Sequence, residues 1–201
     1  MGTVTKTVST FTAIEAPVVI ATAAQGTLRT LDLTTKYGAW LYCCIGRRVA
    51  TALTRFGYIS IRSTSNNTLI LPTPVLDAIS STATAISTTI NGAVTIGDTS
   101  ITLTSTTSFA VGDTLCIHSD DTLASRVEFV RVLAVTSATV VLLERAVRVA
   151  HNVADRVTTL ADVQKIYLPG GDHYDIRCQN NSGQSLVFRV EAVIDNGDTT
   201  A

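Results

Sequence analysis

The chain is 201 residues long, 46% hydrophobic and only 15% charged, with 15 Lys+Arg against 16 Asp+Glu and a net charge of -1. That length allows one large domain or two small ones, with a core that needs no metal or disulfide staple. The charge balance excludes a basic field for nucleic acid and an acidic tail, and no apolar run approaches the roughly 18 residues of a membrane helix. With so few charges, much of the surface must be Thr, Ser, Asn and small apolar residues, which suits contact with a partner. Threonine makes up about one residue in six, and Val and Ile are abundant. These β-branched residues suit a pleated, half-buried surface, and Glu and Lys, the usual helix fillers, are scarce. The expected class is all-β.

Thr3 to Thr12 alternates, with Val4, Lys6, Val8 and Thr10 on one face, as an edge or arm strand would. Ala16 to Ala24 (APVVIATAA) ends like a leader cleavage site, but Glu15 and Pro17 interrupt its flank and the run is short, so it reads as a strand. Gln25-Gly26 turns the chain, and Thr27 to Leu33 follows with irregular alternation that leaves its register open. Tyr37 to Ile45 (YGAWLYCCI) is almost continuously apolar, as a strand buried on both faces would be, and Trp40 is expected to anchor the core. Gly46-Arg47-Arg48 is the expected turn before the one-face-buried strand Gly57 to Ser63.

Ser63 to Asn91 changes character and holds Pro72 and Pro74. Val75, Ile79, Ala83, Ile86 and Ile90 fall at helical spacing among Ser and Thr, so a linker with one short helix is expected. Residues 93–161 form a coherent unit of short alternating runs, with turns expected at Gly97-Asp98 and Gly112-Asp113. Short strands at this spacing describe a small β-barrel or β-domain. Lys165 to Val193 returns to the first style, with strands broken at Pro169-Gly170-Gly171-Asp172 and Asn180-Asn181-Ser182-Gly183. Neither chain end has enough strands alone. The economical topology is a β-sandwich, jelly-roll-like, from residues 1–75 and 162–201, with 93–161 inserted and 76–92 as linker.

Candidates for chemistry each meet a plainer reading. Cys116 and His118 share a strand face and Asp120 or Asp121 could add a ligand, but nothing further recurs at metal spacing. Cys43, Cys44, Cys116 and Cys178 include no CxxC pair and read as buried thiols of a reducing compartment. His151 and Asp155 lack a nucleophile elbow and read as a local hydrogen-bond device. Gly170-Gly171-Asp172-His173 lacks a P-loop lysine and a following helix, and reads as a hairpin turn. Arg47, Arg48 and Arg55 suit a protein interface better than phosphate. The few aromatics, mostly on strands expected to be buried, offer no sugar platform. No catalytic constellation, cofactor or metal site emerges, and the chain is not read as an enzyme.

The middle unit, with SFAVGDTLCI, EFVRVLAV and AHNVADRV, resembles a small β-domain of tailed-bacteriophage virion proteins. Those carry a phrase like f-x-x-G-D-x-l-x-i, then e-x-v-x-V, then H-x-x-g-D-x-V. Phe109, Gly112, Asp113, Glu128, Val130, Val132, His151, Asp155 and Val157 match it, while Ala154 stands where Gly is expected. WLYCCIGRR and QSLVFRVEAVIDNG are similar to sandwich strands of phage structural subunits. The resemblance implies a capsid decoration or cement protein, trimeric, bound to the major capsid protein on the virion surface after assembly in the host bacterial cytoplasm. It implies no nucleic-acid, membrane or small-molecule partner. Its expected contacts are Val4, Lys6 and Val8 of the arm, which would add a strand to a neighbour, together with Arg47 and Arg48. The alternatives are a tail, baseplate or head-to-tail connector component, or a receptor- or glycan-binding β-module.

Overall fold

The structure is a computed structural model that describes residues 5–8, 12–20, 24–25, 29–47, 57–70, 75–76, 86–119, 126–159 and 161–199, with 5–8, 12–20, 24–25, 75–76 and 197–199 described by their backbone. Among these residues every regular element is a strand. In chain order they are β1 Thr5–Val8, β2 Thr12–Ile20, β3 Ala24–Gln25, β4 Arg29–Asp32, β5 Gly38–Arg47, β6 Gly57–Ser63, β7 Leu69–Ile70, β8 Val75–Leu76, β9 Ser87–Thr89, β10 Ser100–Thr102, β11 Thr114–His118, β12 Val127–Val135, β13 Val140–Leu143, β14 Arg156–Thr158, β15 Ala161–Pro169, β16 His173–Asn180 and β17 Leu186–Thr199.

Two antiparallel sheets face each other. In sheet I the order is β1-β17-β5-β15, with β2 also on β17. In sheet II it is β3-β16-β6-β7, with β4 on β16 and β8 on β6. Alternation along each strand decides what lies between them. Leu41, Cys43 and Ile45 of β5, Phe188 and Val190 of β17, Ile59 and Ile61 of β6, and Ile176 and Cys178 of β16 form one apolar core. Burying each large member contributes about 1.5–3 kcal/mol, which holds the layers together. The protein is therefore all-β with a sandwich of two sheets.

Strands from 87–158 form sheet III, in the order β10-β13-β12-β11-β14-β9. This sheet curls until its outer strands meet: Ile90 bridges Leu103, and the Asn91 amide donates to Thr102 O at 2.9 Å. Ile101, Leu115, Ile117, Val130, Val132, Val141 and Val157 fill the inside of the curl. Ser87–Thr89 is a strand of this sheet, not part of a helical linker. The spacing of Ile86 and Ile90 fits a period of two as well as it fits a helix, and the Thr between them favours the strand. The rest of the expected helix, residues 77–85, lies outside the described residues.

The expected turn at Gly46-Arg47 is also absent, because β5 continues through both residues. Gly46 pairs with Ala161 on one side and Val187 on the other, and Arg47 pairs with Leu186. This extension reaches the curled sheet. Cys44 and Val187, on the outward face of sheet I, pack with Cys116, Val127 and Phe129 of sheet III. Thr158 Oγ1 donates to Arg47 O at 2.7 Å, and Arg189 Nη1 donates to Val127 O at 2.5 Å. A Cβ on Gly46 would lie 2.8 Å from both Cys116 Cβ and Phe129 Cε1, so only glycine permits this approach.

Three turns of sheet III share one construction. In Thr95–Asp98, Ala110–Asp113 and Asn152–Asp155, the aspartate accepts a hydrogen bond from the amide three residues before it, at 2.7, 2.8 and 3.1 Å. The residue before each aspartate has positive φ: Gly97 at 102°, Gly112 at 90° and Ala154 at 74°. Its amide donates to a buried residue (Val147, Val132 and Ile90 respectively), which donates back to the aspartate carbonyl. The pattern is a type II turn locked by its own side chain.

Two stability predictions follow from these geometries. Gly46→Ala should destabilise the protein by about 1–3 kcal/mol through overpacking at the junction, lowering Tm by about 2–4 °C per kcal/mol. An unchanged melting curve would show that the junction yields. Ala154→Gly should raise stability by about 0.5–1 kcal/mol, because relief of the left-handed strain outweighs the entropy of glycine; a lower Tm would contradict that strain.

Candidate functional site

The residues singled out for chemistry separate into buried struts and surface features. Cys116 is fully buried at the junction, and His118, also buried, places Nδ1 2.9 Å from Ser119 O. Asp120 and Asp121 lie outside the described residues. Burial pushes the Cys44 thiol up to about 12 and pushes Cys43 and Cys116 up as well, so none supplies a thiolate at neutral pH. Among the described residues, no group of three or more His, Cys, Asp and Glu is arranged to hold a metal ion.

The segment Gly170–His173 is packed rather than open. The Gly170 amide donates to Tyr37 O at 2.9 Å and the Gly171 amide to Leu33 O at 2.8 Å. Asp172 accepts from the Ser63 hydroxyl and from Ser65 Oγ at 2.8 Å, tying the turn to the end of β6. Those hydrogen bonds, Ser63 first, hold its carboxyl below the ordinary range. Arg47 is 1% exposed, so its side chain is not on the surface of the chain. Lys6 and Val8 lie in β1, whose backbone pairs in cis with the end of β17: Lys6 faces Asp198 and Val8 faces Asp195. Val4, Arg48 and Arg55 lie outside the described residues.

His151 and Asp155 belong to a larger buried network in sheet III. Asp155 receives a two-pronged bond from Arg126, Nε at 3.1 Å and Nη2 at 2.9 Å, and lies 3.3 Å from His151 Nδ1. On the other side of the His151 ring is Glu128, 3.8 Å from Nε2. Glu128 accepts from Arg145 Nη1 at 2.5 Å, from the Arg148 amide at 3.0 Å and from the Val149 amide at 3.1 Å. Burial by itself would raise the pKa of both carboxyls. The His151 ring beside Glu128 and the bonds from Arg148, Arg145 and Val149 outweigh it, as do the bonds from Arg126 around Asp155, so both fall below the ordinary carboxylate range. The network braces the loop Glu144–Ala150 and one of the three locked turns.

The surface feature missed in the sequence is on the outward face of sheet I. Trp40 is 43% exposed and does not anchor the core. It sits opposite Tyr167 of β15 in register, and their ring centroids are 5.1 Å apart. Lys165 Nζ lies 4.3 Å from the centre of the Trp40 ring and 5.4 Å from that of Tyr42. Exposed Val163, on the same face of β15, extends the strip along the sheet. At the Val163 end it runs into a groove against sheet III, lined by Tyr42, Phe129, Arg145, Arg148, Arg189 and Glu191. In β5 both faces are apolar, so alternation could not say which way Trp40 points. The signal lay in β15, where exposed Lys165 shares a face with Tyr167 and buried Ile166 and Leu168 take the other.

No family model, no curated protein and no solved structure matches the chain.

The acid response of the fold follows chiefly from the two buried carboxyls whose pKa is lowered, Glu128 and Asp155. A lowered folded pKa gives stability that is fully present above the ordinary carboxylate value of about 4 and is lost as pH falls through the folded value. Thermal melts should therefore be steady from neutral pH to about 5 and fall steeply below about 4. Glu128→Gln should cost about 2–4 kcal/mol at pH 7 and make the acid limb shallower. An equally steep acid limb in the variant would locate the acid sensitivity elsewhere.

Proposed function

We propose that the chain is a structural virion subunit that binds and stabilises a phage capsid as a trimeric decoration or cement protein. The observation that supports this reading is the exposed aromatic pair Trp40 and Tyr167 on the outward face of sheet I. Trp and Tyr anchor protein interfaces because they bury much area for little lost side-chain freedom. A contiguous apolar strip on a chain with 15% charged residues is surface that a partner would cover. The resemblance of the middle unit supplies the class of partner, the major capsid protein. In this reading the chain has no catalytic role and acts by bracing neighbouring shell subunits. The same exposed rings also favour a second reading, a receptor- or glycan-binding β-module.

Light scattering on a sizing column is the first test, and the expected mass is three times 21.3 kDa. The protein should then co-sediment with assembled shells of the phage that encodes it. Trp40→Ala combined with Tyr167→Ala should weaken that binding at least about tenfold with the fold intact. A monomer that ignores shells but forms rings on a portal would move the assignment to a connector. A monomer whose glycan binding disappears in the same double variant would move it to a binding module.

A further inference from the structure

The opposite side of the sandwich carries a different surface. On the outward face of sheet II, β6 presents Tyr58, Ser60 and Arg62, and β16 presents Asp175, Arg177 and Gln179. The register sets Tyr58 against Gln179, Ser60 against Arg177 and Arg62 against Asp175. Ser60 is the small residue between two large ones, so the sheet has a hollow at its centre. These six side chains and Leu69 line a cleft of about 350 Å³, at the small end of ligand-binding sites.

Most of the lining is already held in place. Tyr58 Oη donates to Gln179 Oε1 at 2.5 Å. Arg62 Nη1 donates to Asn67 O at 2.8 Å and to its Oδ1 at 2.9 Å. Thr30 Oγ1 donates to Asp175 Oδ1 at 3.0 Å. Arg177 differs: among the described residues its guanidinium has no hydrogen-bond or ion-pair partner, although Asp175 is two residues away on the same face. The cleft therefore has fixed walls and one unengaged planar fork of donors. Its charged residues, two arginines against one aspartate, leave it one positive charge.

We propose that this cleft binds a carboxylated sugar, a uronic-acid residue taken either free or as a unit of an acidic polysaccharide. The Arg177 fork matches a planar carboxylate with two parallel N–H···O bonds. Tyr58 provides a ring face at one wall for the C–H side of the sugar, with Ser60, Gln179 and Asp175 placed for its hydroxyls. The cleft is independent of the aromatic strip, so the proposal stands whether or not sheet I docks on a shell.

The test is titration of the full chain, followed by amide NMR shifts, with glucuronate, glucose, acetate and oligogalacturonate as separate arms. Glucuronate should shift β6 and β16 amides saturably with a Kd in the millimolar range, while glucose and acetate bind at least about tenfold more weakly. Oligogalacturonate binding more tightly than glucuronate would identify a polymer as the ligand, and equal affinity would identify the single sugar acid. Arg177→Gln should remove binding, and Arg177→Lys should keep the charge but lose at least about threefold, because ammonium does not form the fork. Arg177 is exposed, so both variants should melt like the wild type. No saturable shift up to about 50 mM glucuronate, or unchanged binding by Arg177→Gln, would overturn the proposal.

Discussion

The sandwich depends on the pairing of β17 with β5. The two strands run together from Leu186–Arg47 to Asp195–Gly38, and β17 takes β1 and β2 on its other edge. Sheet I therefore has no centre until the end of the chain returns to its beginning. Sheet II has the same dependence, since β16 lies between β3 or β4 and β6. Contacts this distant in sequence carry a loop-closure cost and slow folding. Sheet III has no such requirement. Its strands lie between 87 and 158, and three of its turns are locked by neighbouring aspartates, so its pairings span shorter stretches of chain than those that close the sandwich.

The junction turns these two units into one body. Gly46 lets Cys116 and Phe129 approach β5, and Arg189 reaches across from β17 to the Val127 carbonyl. The same arginine is ion-paired with Glu191 on its own strand. The strand that closes the sandwich thus also holds sheet III. A change at the junction is accordingly transmitted to both units, whereas a change in the Glu128 network acts first on sheet III.

Much of the architecture could be read from residue patterns, and the exceptions have specific causes. The strands from Gly57 to Ser63 and from Thr114 to His118 were legible because polar and apolar residues alternate or because a Gly-Asp turn precedes them. The end of β5 was not, because Gly-Arg-Arg has turn composition and its pairing partners lie more than 100 residues away. The side of Trp40 was hidden because Ala39, Leu41 and Cys43 are as apolar as Trp40 and Tyr42. The sheet II cleft was hidden for another reason: Ser60 and Arg177 are unremarkable until the register sets them opposite each other. The residues on which the resemblance rested have a physical content of their own in sheet III. Phe109, Val130, Val132 and Val157 are core, Gly112 and Asp113 make a locked turn, and Glu128, His151 and Asp155 form the buried network. Every matched residue supports the curl of sheet III, so the phrase describes how that unit is built.

That division matters for function. The residues of that phrase face inward or make turns in sheet III, and the two outer faces of the sandwich, where the phrase has no members, carry the surfaces argued for partners, although sheet III also exposes Ile96, Val111, Leu133 and Val153. The faces differ in chemistry. Sheet I offers Trp40, Tyr167 and Val163 beside the groove against sheet III, a surface whose contact with water favours a covering partner. Sheet II offers a polar hollow with a guanidinium that has no partner among the described residues, a surface that stays wet and selects by hydrogen-bond geometry. Because the sheets share one core, the two faces point in opposite directions. A subunit held by its sheet I face would keep its sheet II cleft open to solvent, and neither contact would obstruct the other.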